Sequence, residues 1–189
     1  MTELIELANA QDEARRRSAA IAVDQWDLPT PCTDWSIRDI ITHLLEVSRM
    51  VPLLLQGVTV EDLKAGSCPD RLLDLSVALD RALTDELAAF ETADDLDMIV
   101  HHPGAGDIPA ARLLQFRTTD YLLHSWDIAR ATAADEHLPE GLVAATWKRM
   151  EPKAAVVAKT GAYGRGPSGT IPENAPLQQR LLDLTGRRP

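Results

Sequence analysis

Apolar residues recur along most of this chain at the three- and four-residue spacing of amphipathic helices, and no segment sustains the alternation of a strand. Thr2 to about Val23 is expected as a first helix, with Thr2 as N-cap and the weakest apolar stripe of the set. Asp27 to Trp35 breaks the pattern, because Pro29 and Pro31 exclude a helix interior. Ser36 opens a second helix, with Ser36 and Asp39 resembling a capping box. Ile37, Ile40, Ile41, Leu44, Val47, Val51 and Leu54 keep one stripe to about Gln56. After a connector from Gly57 to Cys68, Pro69 suits the first turn of a third helix carried by Leu72, Leu75, Leu79, Leu83, Leu87 and Phe90. A second connector holds His101, His102, Pro103, Gly104 and Gly106. A fourth helix is expected from about Pro109 to Ala133, and a fifth from near Pro139 to about Lys159. A Gly/Pro-rich loop over Gly161 to Pro176 and a short closing helix over Leu177 to Leu184 complete the chain. The expected architecture is all-α: one domain over residues 1–189, built as a four-helix bundle with a short additional C-terminal helix.

The fourth helix carries polar groups where a core helix should carry Leu. At roughly 100° per residue, Gln115, Thr118, Thr119, Ser125 and Arg130 gather on one side, which is expected to face water. The opposite side centres on Leu113, Asp120, His124 and Ala131, with Asp127 close by and Arg117 just off the line. Phe116, Tyr121, Leu123 and Ile128 flank it. An ionised carboxylate in such a setting costs several kcal/mol unless a partner satisfies it. Asp120 and His124, one turn apart on one face, are either a local hydrogen-bonded pair or two ligands of one ion. His43, at the border of the second helix's stripe, is either a core histidine or a third ligand from a facing helix. Two histidines and one carboxylate would leave a divalent ion with open positions, the arrangement of catalytic rather than structural sites. Asp127 is open to an inner salt bridge with Arg117 or Arg38.

Composition narrows the functions available. The 189 residues are 45% hydrophobic, 25% charged and 4% aromatic, ordinary for a globular chain able to bury a core without disulfides. A net charge of −10 and a pI near 4.9 argue against nucleic acid and anionic membrane surfaces as partners. No apolar run approaches the ~20 residues of a membrane span, and the N-terminus lacks a signal-peptide core. Cys32 and Cys68 lie in no CxxC pair, so a cytoplasmic location with reduced thiols is expected. Cys32 reads as a small buried hydrophobe before a nucleophile or ligand. Trp35 and Trp126 read as packing residues. His101 and His102 read as loop histidines at the surface, with reach toward a cavity mouth as the alternative.

Two longer motifs carry a family resemblance. Trp26-x-x-Pro29-Thr30-Pro31-Cys32-x-Asp34-Trp35-Ser36-Ile37-Arg38-Asp39-x-x-x-His43-Leu44 resembles the N-terminal signature of the mycothiol-dependent maleylpyruvate isomerase group, within the DinB/YfiT-like superfamily of actinobacterial metalloproteins. Arg117-x-x-Asp120-x-x-x-His124-x-Trp126-Asp127-Ile128-Ala129-x-Ala131 resembles its second signature, and the tail from Pro172 to Pro189 the close of a single-domain subgroup. The resemblance implies a DinB-like four-helix bundle holding a divalent metal, zinc or nickel, through His43, Asp120 and His124. It implies use of that metal to activate a low-molecular-weight thiol such as mycothiol for S-transfer or isomerisation of a small electrophile. Arg117 or Arg38 would orient an anionic substrate, and Asp127 would fix an imidazole or an arginine. The isomerase itself has Glu where this chain has Asp120. It also carries a further C-terminal domain, for which the stretch after His124 is expected to be too short.

The leading expectation is therefore a metal- and thiol-dependent transferase or isomerase. The competing ones are a non-catalytic helical bundle that binds a ligand or dimerises, and a metal-dependent hydrolase.

Overall fold

The computed structural model describes residues 2–32, 34–59, 74–156 and 166–189. Six helices stand among them: α1 (Thr2–Ala19), α2 (Ile37–Leu55), α3 (Leu75–Thr92), α4 (Ala110–Ala131), α5 (Glu140–Met150) and α6 (Leu177–Leu184). A 3-10 turn, Glu151–Lys153, follows α5, and two short strands, β1 (Ile99–His102) and β2 (Gly106–Pro109), precede α4. The fold is all-α and DinB-like, with one small hairpin added. Among the described residues no helix is long and apolar enough to cross a membrane.

The chain forms two compact units, and α4 runs unbroken through both. The first comprises residues 1–20 and 39–121; the second comprises residues 21–38 and 122–189. The first unit holds α1, α3, nearly all of α2 and the first half of α4. Its core is built from Leu7, Ala10 and Ala14 of α1, Ile40, Ile41, Leu44 and Leu54 of α2, Leu79, Leu83 and Phe90 of α3, and Leu113, Leu114 and Tyr121 of α4. Helix α1 stops at Ala19, short of Val23. Its apolar stripe is weak because it also buries Gln11, Glu13, Arg17 and Ser18, with Glu13 accepting from Arg17 Nε at 2.8 Å. Helix α2 ends in a reversal at Gly57 (φ 81°), whose positive φ costs glycine little. Asp74 caps α3, accepting from the backbone N–H of Ser76 at 3.1 Å and of Val77 at 3.3 Å. The expected helix start at Pro69, with Leu72, lies outside the described residues, as does Cys68.

The hairpin is a correction to the strandless reading. Four residues per strand are too few to show alternation, and the strands pair as Ile99↔Pro109 through His102↔Gly106. His102 closes the turn by accepting the N–H of Gly104 and of Ala105 on Nδ1, both at 3.0 Å. His101 Nδ1 meets Asp107 Oδ1 across the strands at 2.7 Å. The backbone then passes straight into α4, where Ala110 and Ala111 donate to the carbonyls of Met98 and Leu96.

In the second unit the segment before α2 is closed by a bridge between Pro29 and Ser36. Asp34 takes a positive φ of 67° there, a conformation Asp tolerates. The unit's core joins Trp126, Ile128 and Ala129 to Leu138, Leu142, Val143, Leu181, Leu182 and Leu184. The expected fifth helix is interrupted at Glu151 by the 3-10 turn and is helical again over 154–156, while α6 covers the expected span. The last part of that expected helix, 157–159, lies outside the described residues, as does 161–165 of the expected loop.

One buried network dominates the first unit. Glu86 of α3, with no exposed surface, accepts from Gln11 Nε2 at 3.2 Å, Arg117 Nε at 2.9 Å and the Tyr121 hydroxyl, which also meets Ser48 Oγ at 2.7 Å. Burial opposes the Arg117 charge, but Tyr121, Glu86 and Asp120 more than offset this and hold its pKa above the ordinary guanidinium value. Glu86→Ala leaves that guanidinium short of its buried counter-ion. The expected loss is about 3–5 kcal/mol of unfolding free energy in urea titrations, and a loss below about 1 kcal/mol contradicts the network's role.

Candidate metal centre

The middle of α4 brings the predicted residues together. Asp120 is partly exposed, at 29%. Its Oδ2 accepts from Arg117 Nη1 at 2.7 Å and lies 3.4 Å from His43 Nε2 of α2. Arg117 Nη2 is buried and has no hydrogen-bond partner among the described residues. One helical turn beyond Asp120, on the same helix, stands His124. One donor atom from each of His43, Asp120 and His124 lies within 4.8 Å of the other two.

The orientation of His124 follows from a second buried carboxylate. Asp127 is fully buried and its Oδ2 lies 3.0 Å from His124 Nδ1. Arg187 grips the same carboxylate with two bonds, Nε to Oδ1 at 2.9 Å and Nη2 to Oδ2 at 2.6 Å. Burial pushes the Asp127 carboxyl up, but the His124 hydrogen bond and the Arg187 charge outweigh it and hold it below the usual range. An ionised carboxylate only accepts, so it assigns the proton of the neutral imidazole to Nδ1 and the lone pair to Nε2. Trp35 stacks on the same imidazole, with ring centres 5.7 Å apart and planes 20° from parallel. The Pro-rich segment thus supplies a wall for the ring, and Trp35 does more than fill space.

These donors suit a divalent ion. Metal–donor distances of ~2.0–2.2 Å place three donors roughly 3–4 Å apart, so side-chain adjustment of about an ångström closes the set. Nitrogen with one carboxylate oxygen is a combination that zinc and nickel accept.

The remaining predicted residues divide. Asp127 fixes both an imidazole and an arginine, but that arginine is Arg187, not Arg117 or Arg38. Arg38 pairs with exposed Asp27 at 2.9 Å and lies over the Trp26 ring at 5.6 Å. Arg117 directs its bonds to Glu86 and Asp120 inside the protein. Cys32 is part-buried, with its backbone N–H on Thr30 Oγ1 at 3.2 Å. The side of α4 expected to face water is corrected: Thr118, Thr119 and Ser125 are buried, and only Arg130 of that set is exposed. Thr118 and Thr119 satisfy their hydroxyls on the carbonyls one turn back, of Leu114 and Gln115, so burial strands no donor. Glu86 and Arg187 were missed. Glu86 sits among apolar α3 positions, the one available signal; the Gly-Arg-Arg tail resembled a family ending without revealing a partner.

An all-α, DinB-like fold with a two-histidine, one-carboxylate cluster defines the class of protein. A family model for the mycothiol maleylpyruvate isomerase N-terminal domain matches residues 7–129, and the chain belongs to that family. Uncharacterized proteins from two strains of Mycobacterium tuberculosis are each 28% identical to it over 193 aligned residues, covering 99% of this chain and 98% of theirs. The crystal structure of a mycothiol-dependent maleylpyruvate isomerase, with one histidine replaced by alanine, superposes with a TM-score of 0.62 at 12% identity. That match covers 88% of this chain and 72% of the other.

Arg187→Ala is expected to lower unfolding free energy by about 3–5 kcal/mol, since it leaves Asp127 buried without its cation. The double variant Asp127→Leu, Arg187→Met should recover most of that loss in the same denaturation series, and an equally unstable double variant contradicts a charge-pairing origin.

Proposed function

We propose that this protein holds a divalent metal, zinc or nickel, through His43, Asp120 and His124, and uses it with a low-molecular-weight thiol of the mycothiol type on a small electrophile, by S-transfer or isomerisation. The observation that carries this reading is the Asp127–His124 contact. It assigns the imidazole tautomer beside a second histidine and a carboxylate, the second layer of support that metal-ligating histidines need. Membership of the family supports the thiol and the metal. A bound divalent ion would supply a Lewis acid that keeps a thiol deprotonated near neutral pH.

The chain's own residues would do the rest. Arg117 positions Asp120 and offsets its charge, which makes it a positioning residue. Asp127 holds the His124 ring in place and its tautomer fixed. Arg38 has a half-exposed guanidinium in support of orienting an anionic substrate. Asp120, one methylene shorter than Glu, is held by Arg117 within 3.4 Å of His43 Nε2. The two units are read as one domain because α4 continues through both. The net charge of −10 supports a small-molecule enzyme and not a nucleic-acid binder.

Thermal scans with and without zinc or nickel test the metal. Ion at about 100 times its dissociation constant should stabilise the wild-type chain by about 2.7 kcal/mol. Asp120→Asn and His124→Ala should lose this gain. If the wild-type chain gains nothing from either ion and carries none as isolated, the enzyme reading gives way to a structural bundle.

A further inference from the structure

Helix α6 ends in a turn that carries the chain back to α4. Thr185 returns its hydroxyl to the Leu181 and Leu182 carbonyls at 2.9 and 3.0 Å. Gly186 takes a φ of 77°, which costs glycine little, and donates its N–H to the Asp183 carbonyl at 2.9 Å. The Arg187 N–H reaches the Leu182 carbonyl at 2.9 Å. Those two bonds are the paired reversal that closes many helices, and Arg187, the first residue beyond the glycine, is buried. Its guanidinium uses three nitrogens. Nη1 donates to the Thr185 carbonyl of the same turn at 3.1 Å, while Nε and Nη2 form the fork on Asp127.

Asp127 in turn decides which ring atom His124 presents as a ligand. Trp35 stacks on the imidazole and confines its plane. A half-turn about the Cβ–Cγ bond keeps that plane but exchanges Nδ1 with a carbon and carries Nε2 to where Cε1 stood, so stacking cannot tell the two settings apart. The contact of Nδ1 with Asp127 Oδ2 at 3.0 Å can, because a carbon edge does not replace it. Among the described residues the Asp127 side chain is bonded to His124 and Arg187 alone. Removing the fork frees that carboxylate to rotate away from Nδ1. Trp35, His124, Asp127 and Arg187 all belong to the second unit, so this series of contacts is complete within it.

We propose that the Gly186–Arg187 turn is a latch on the candidate metal ligand: Arg187, acting through Asp127, is a positioning residue for His124, so docking of the turn and metal occupancy strengthen each other. This rests on the metal reading above and adds to it control from a residue 60 positions along the chain from Asp127. Coupling between two equilibria is reciprocal. A docked turn holds the His124 ring in the setting that offers Nε2 to an ion, and a bound ion holds the ring in the setting that Asp127 and Arg187 fit.

Side-chain nitrogen NMR, zinc calorimetry and amide hydrogen exchange on the full chain test this. Arg187→Lys keeps the positive charge but loses the fork. His124 should hold the Nδ1–H tautomer in the metal-free wild-type chain and show a mixture in Arg187→Lys. Zinc affinity should fall on the order of tenfold to a hundredfold in that variant, the usual effect of losing support behind a metal-ligating histidine. In the wild-type chain zinc should slow exchange of the Gly186 and Arg187 amides on the order of tenfold. Should Arg187→Lys fail to fold, the double variant Asp127→Leu, Arg187→Met removes both charges together and should be stable while binding zinc as weakly. A merely structural role for Arg187 predicts lower stability with zinc affinity unchanged. Wild-type zinc affinity in either variant overturns the proposal, as does zinc that binds without slowing the two amides, and the metal reading then stands. If the wild-type chain binds no zinc, the metal reading falls and the coupling with it. A changed His124 tautomer in Arg187→Lys then still assigns the positioning role to Arg187, and an unchanged one overturns that too.

Discussion

A guanidinium with 1% of its side chain exposed sits in the middle of helix α4, and much of the first unit is arranged to tolerate it. Removing the Arg117 charge from water costs several kcal/mol unless counter-ions and acceptors surround it. Glu86 supplies the counter-ion from α3, and Gln11 and Tyr121 complete that carboxylate's bonds. Asp120 supplies the second acceptor. The same contact that neutralises Arg117 therefore holds Asp120 in one orientation, facing His43, and the core and the candidate site share one electrostatic problem.

The second unit repeats this logic with different residues. Asp127 is buried, so it requires a cation, and Arg187 provides two bonds to it. Its remaining acceptor capacity goes to His124, whose ring is further confined by Trp35. A buried carboxylate thus becomes a device for setting an imidazole's tautomer. Two of the proposed ligands, Asp120 and His124, are each aimed by a neighbour that is itself locked, which is how a site is held to a precise geometry.

Threonine hydroxyls bonded to the preceding turn let α4 be buried on nearly every side, while Arg117 Nη2, Ser125 Oγ and Trp126 Nε1 are buried with no hydrogen-bond partner among the described residues. Tyr121 to Ala129 form an unbroken buried run. Threonines before that run return their hydroxyls to the preceding turn, behaving as apolar residues toward their surroundings. Before that run Ala111, Arg112, Gln115, Phe116 and Asp120 are partly exposed, so the candidate ligand Asp120 lies at the edge of the buried stretch and not within it.

Hydrophobic spacing alone was enough to locate the helices, because each must hide one face and the 3.6-residue period records which. It was also enough to single out Asp120, His124 and Asp127, whose polarity conflicts with the positions they hold, while His43 was legible only as one of two alternatives. The hairpin escaped because four-residue strands carry too little period to read, and with it went the turn that His102 closes. Glu86 and Arg187 escaped because their partners lie 31 and 60 residues away, and spacing along a helix says nothing about contacts at that range. Local pattern determined which side chains were out of place. Only the tertiary structure decided what satisfies them, because a buried charge is paired by whatever the fold brings within hydrogen-bond reach, and that proximity has no periodic trace in the sequence.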